Sequence, residues 1–134
     1  MRVRYALEYG ETLHIAEAGI AFATAEGWPV CVAVVDDGGH PLVVLRMDEA
    51  SAAAVDGAIG KARTAALTGQ DSELIEKMAL SRPTVLSIPR VAVEGGVALI
   101  WEGQRVGGIG VSGQLPERDS QIAAAALEAF AAPR

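Results

Sequence analysis

Apolar residues recur at helical intervals through the first stretch of the chain (Leu7, Ile15, Ala18, Phe22, Ala25) with no proline among them, which predicts a helix over residues 4–26. Gly10 and Gly19 weaken that helix without breaking it, and Gly27-Trp28-Pro29 ends it. The pattern then changes. Residues 30–35 form an unbroken apolar run, Asp36-Asp37-Gly38-Gly39 is a turn, and residues 41–47 are apolar again, so the segment reads as a β-hairpin. Ser51 stands at an N-cap position before the stripe Val55, Ile59, Ala62 and Ala66 of a second helix. Asp71 or Ser72 caps a third helix that stops ahead of Arg82-Pro83.

Residues 84–94 follow no period. Beyond them, residues 97–102 and 105–112 read as two strands joined by a tight turn at Gly103-Gln104, and residues 118–131 as a last, alanine-rich helix. The order α-β-β-α-α-β-β-α, with strands arriving as hairpins, predicts an antiparallel sheet covered by helices: an α+β layered domain. The 134 residues fit one domain, 1–134, with no linker or repeat.

Composition narrows the function. The net charge of −6 and six aromatic residues argue against a nucleic-acid partner, which needs cations for phosphates and rings for bases. No apolar run approaches the length of a membrane span. A single cysteine, Cys31, precludes an internal disulfide, and Glu8, Glu11 and Glu17 interrupt any signal-peptide core, so a reducing cytoplasm is the expected location. The hydrophobic content of 51% is high for a small soluble monomer and is met either by burial between subunits or by an alanine-rich genome.

The candidate chemistry is sparse. Gly108-Ile109-Gly110-Val111-Ser112-Gly113 spells the dinucleotide fingerprint, but its first glycines lie inside an apolar strand instead of a strand-to-helix turn. Bare backbone in that strand admits a helix or a ligand at close range. Ser112-Gly113, ahead of Asp119, has the makings of an anion nest. His14 lies beside the apolar stripe of the first helix, where a part-buried histidine is the ordinary outcome, and His40 lies in the hairpin turn. No residue spacing suggests a metal centre or a nucleophilic triad, and no Cys-x-x-Cys-His attaches a haem covalently.

Three blocks in order, CVAVVDDGGHPLVVLRMDEAS, AAAVDGAIGKARTAAL and EGGVALIWEGQRVGGIGVSGQLPERD, resemble the GlcG/HbpS-like family, also seen as the C-terminal domain of PduO-type proteins. The positions carrying the resemblance include Asp36, Gly38, Gly39, Arg46, Asp48 and Lys61. Thr64, Gly95, Gly96, Gly108, Gly110, Ser112, Gly113 and Asp119 complete it, whereas Glu49 and Ala98 depart from the family pattern. The resemblance implies a five-stranded antiparallel sheet flanked by helices, assembly as a homo-oligomer, and a small-molecule ligand that in some members is haem.

A haem would need an axial ligand, for which His14 and His40 are the candidates, and cations for its propionates, for which Arg46 and Arg90 are. The rival expectation is a cofactor-free lyase or isomerase acting on a small organic or aromatic acid. Gly95, Gly96, Gly110, Val111, Ser112 and Gly113 would supply backbone to the anion, Lys61 or Arg46 the positive charge, and Asp36, His40 or Asp119 the acid or base. A third expectation is an accessory subunit docked on a partner enzyme. Both ligand readings assume a glycine-lined hollow beside the last strand.

Overall fold

A computed structural model describes residues 1–88 and 91–132. Four helices, α1 (Tyr9–Glu26), α2 (Ala53–Thr68), α3 (Ser72–Ser81) and α4 (Pro116–Ala131), accompany four strands, β1 (Cys31–Asp36), β2 (Pro41–Arg46), β3 (Gly96–Trp101) and β4 (Gln104–Ser112). A short 3₁₀ turn covers Pro83–Ser87. The strands lie in the order β2-β1-β4-β3, and each neighbouring pair is antiparallel.

The layering explains why the chain is apolar at every position from Val30 to Val35. Val30, Val32 and Val34 face a core closed by Ile15 and Ala16 of α1 and Ile122, Ala123 and Ala126 of α4. Cys31, Ala33 and Val35 point the other way, against Ala54, Ala58, Ala62 and Ala66 of α2. A central strand covered on both faces has no solvent side to be polar, so it reads as a continuous run.

The expected five-stranded sheet is corrected to four strands. The two stretches available for a fifth are held by side chains instead of a ladder. Residues 91–96 are tied to Thr64 and Ser72, whose hydroxyls bond Val91 O at 2.7 Å and Val93 O at 2.6 Å. At the other end of the sheet, Tyr5 N–H donates to Gln104 Oε1 at 3.1 Å, and Gln104 Nε2 donates to Val3 O at 3.3 Å. These bonds also explain why α1 starts at Tyr9, five residues later than expected at Arg4. Backbone groups engaged with the β3–β4 turn are not available to a helical turn.

The caps differ in the same way. Gly27 stops α1 in the left-handed region as expected (φ 72°). Ser51 does not cap α2 through its hydroxyl; the helix begins at Ala53 behind Ala52. Asp71 precedes α3 but turns its carboxylate to the N–H of Ala98 at 3.2 Å.

Candidate functional site

The glycines of β4 are the first part of the site to be settled by packing. A Cβ on Gly110 would stand 2.5 Å from Ala62 N and nearer still to Ala58 O, and one on Gly108 would stand 3.0 Å from Ala66 N. The space beside these glycines is therefore occupied by the backbone of α2. Of the two occupants that bare backbone admits, the helix is the one found, and the hollow expected there is filled. The small residues Cys31 and Ala33 on β1 continue the same close-packed surface.

At the end of this surface, α2 and α4 are joined through an ion pair. Lys61 Nζ donates to Asp119 Oδ2 at 3.0 Å and to Val111 O at 2.9 Å, and both residues are essentially inaccessible to solvent. The second carboxylate oxygen of Asp119 accepts the N–H of Gln114 at 3.0 Å. Burial pushes the Asp119 carboxyl above its ordinary range, while the Lys61 ammonium and the Gln114 N–H pull it back. The place that an external anion would take at the Ser112-Gly113 turn is thus filled by the protein's own carboxylate.

Gly95 and Gly96 close over the pair. Gly95 has φ 124°, and a side chain there would meet Val111 O at 2.8 Å and Lys61 Nζ at 3.0 Å. Its carbonyl accepts the N–H of Val111 at 2.9 Å, and Gly96 N–H donates to Ser72 Oγ at 2.7 Å. Lys61, Asp119, Gly95, Gly96 and Val111 are therefore brought together, around a charge pair that is internally satisfied. Ser112, half-buried, lies over Gly57, where a Cβ would stand 3.0 Å from its Cβ. Gly113 has φ 127° and runs alongside Pro29 and Val30.

The other expected residues stand apart. Asp36 lies five residues along β1 from the Cys31–Ser112 pairing, about 17 Å at the strand rise. Its Oδ1 accepts the N–H groups of Gly38 and His40, both at 2.9 Å, so the carboxylate shapes the turn. His40 is exposed in that turn, and Arg63 secures the same loop by donating to Gly39 O at 2.8 Å. Arg46 is exposed at the end of β2, and Arg90 lies outside the described residues.

His14 is the departure with most bearing on ligand binding. It is exposed on α1, not part-buried, and has no hydrogen bond or ion pair among the described residues. Gly10 and Ala18 flank it one turn away on one side, and Glu11 and Glu17 on the other.

Sequence reasoning missed Ser72 and the N-terminal segment. Ser72 is a buried hydroxyl, whereas its place at a helix start points only to a cap. The N-terminal segment carried no such signal, because its apolar residues also fit a helix.

A three-layered α+β fold with α2 lying on bare strand backbone defines the class of protein. The family described as "Haem degrading protein HbpS-like" matches residues 7–128, and this chain belongs to that family. Protein GlcG of Escherichia coli strain K12 is 36% identical over 114 residues, covering 84% of this chain and 85% of GlcG. The crystal structure of a double mutant of HbpS from Streptomyces reticuli superposes with a TM-score of 0.90 at 32% identity, covering 95% of this chain and 88% of that one. A crystal structure of a PduOC–haem complex gives a TM-score of 0.85 at 28% identity, covering 93% of this chain and 95% of that one. Among the described residues no helix is long and apolar enough to cross a membrane, and no cluster of three metal-ligating side chains is found.

Proposed function

We propose that this protein binds haem at the exposed face of α1, with His14 as the axial ligand. The observation that carries the reading is the exposed imidazole of His14, which makes no hydrogen bond or ion pair among the described residues. A planar macrocycle needs an accessible nitrogen donor, which His14 offers, and room beside it, which the small residues Gly10, Ala18 and Ala21 leave on one side. The PduOC–haem relative supports the choice of ligand. One helix face supplies only one wall, so the second is assigned to another copy of the chain, with one haem shared between two His14 residues. Arg46 takes no part in this reading, because its pairing with Cys31 puts its side chain on the α2 side of the sheet, away from α1.

His40 fits less well, because its backbone is committed to the Asp36 turn and no flat helix surface surrounds it. The lyase or isomerase reading finds no support in the geometry. Lys61 and Asp119 neutralise each other in the interior, and Asp36 lies far from them.

Titration with haemin, followed by absorbance, tests the proposal. The unmodified chain is expected to give a saturable Soret shift at one haemin per two chains, His14→Ala to lose it, and His40→Ala to retain it. An absent shift, or one unchanged in His14→Ala, would refute the assignment.

A further inference from the structure

The N-terminal segment, in leaving the helix it was expected to join, encloses a cleft of about 540 Å³ between itself, β3–β4 and the end of α4. That volume lies within the range of small-molecule sites. Tyr5, Leu7, Trp101, Val106 and Phe130 form its apolar walls, with Trp101 set edge-on against Phe130 at 5.9 Å between ring centres. Its polar rim is acidic, carrying Glu8 and Glu11. Glu8 makes no side-chain hydrogen bond or ion pair among the described residues.

Two helix ends also meet at this cleft. The start of α1 contributes a partial positive charge and the end of α4, at Ala131 and Ala132, a partial negative one of similar size. These offset each other and leave the Glu8 carboxylate to set the local sign. Aromatic faces reinforce the preference, since the ring quadrupole attracts cations.

We infer that this cleft is a second binding site, for a small organic ammonium ion with an aromatic or aliphatic body. The apolar body lies against Leu7, Trp101 and Phe130, and the ammonium group pairs with Glu8. The site borders the haem face at Glu11 but does not use His14, and it discriminates by charge: an anion of similar shape is repelled by the Glu8 carboxylate that attracts the amine.

The chain holds two tryptophans, so Trp28→Phe leaves Trp101 as the sole indole reporter. Titration of that variant with 2-phenylethylammonium should change Trp101 emission saturably, and calorimetry on the unmodified chain should give the same affinity. The anion 3-phenylpropanoate, with the same phenylethyl body, should bind at least about tenfold more weakly, the scale expected for a carboxylate within a few ångströms in partly aqueous surroundings. Glu8→Gln should reduce that charge preference about threefold or more without moving the thermal midpoint. Equal affinity for amine and acid, no saturable binding, or a preference untouched by Glu8→Gln would overturn the proposal. His14→Ala should leave the amine titration unchanged, so the two sites fail or survive independently.

Discussion

Replacing Gly110 by alanine adds one methyl group at the place where α2 and β4 come closest. That methyl would sit 2.5 Å from Ala62 N and nearer still to Ala58 O. Both obstacles are helix backbone, so no side-chain rotation relieves the clash, and α2 must back away by about 1 Å to restore ordinary contact. The methyls of Ala54, Ala58, Ala62 and Ala66 face the sheet across this gap, and each is worth about 0.8 kcal/mol when buried. A gap of that width forfeits about a quarter to a half of the dispersion contacts, or roughly 1–1.5 kcal/mol over the four. Overpacking strain adds about 1–3 kcal/mol, giving an expected loss of about 2–4 kcal/mol and a midpoint lowered by roughly 10 °C. Urea and thermal unfolding monitored by circular dichroism measure both. Gly10→Ala is the matched control: nothing lies within 4 Å of the added carbon, and a helical glycine becomes alanine, so stability should rise by up to about 1 kcal/mol. A Gly110→Ala protein within about 0.5 kcal/mol of the parent would show that α2 does not rest on bare strand backbone.

Lys61→Met should cost about 3–5 kcal/mol at neutral pH, because it leaves the buried Asp119 carboxylate with only the Gln114 N–H. The loss should shrink as pH falls. The Asp119 carboxyl is already raised in the folded protein, chiefly by burial, and removal of Lys61 raises it further. The folded variant then binds a proton that the unfolded chain releases, so its stability falls as pH rises above the unfolded carboxyl value and recovers on acidification. Urea unfolding of variant and parent at several pH values checks the sign, and a penalty independent of pH would contradict the linkage. The Cys31 thiol, fully buried and pushed up to about 11 by burial despite Arg46 nearby, should resist thiol reagents at pH 8 until the chain is unfolded. Rapid labelling of the native protein would mean that the face of β1 under α2 opens readily.

Local chemistry determined by itself the parts of this protein that depend only on neighbours in the chain. The Asp36 turn was legible because a carboxylate followed by two glycines can bond its own backbone, as Oδ1 does with Gly38 and His40. The stop at Gly27 was legible because only glycine takes the left-handed region without strain. The unbroken apolar run at residues 30–35 announced a covered strand. Tertiary structure alone decided the rest. Whether the glycines of β4 faced a ligand or a helix depended on how near α2 came, and that distance is set by alanines some fifty residues away in the chain. Lys61 and Asp119 stand in the sequence as separate candidates, one for positive charge and one for acid or base; their pairing across 58 residues makes them one internal unit. Residues 4–8 fit a helical pattern and lost the helix to Gln104 and Glu102 of a distant turn. Periodicity records which faces are apolar, whereas the partner that covers each face is chosen by the folded chain, since burial is a property of surfaces that meet only in three dimensions.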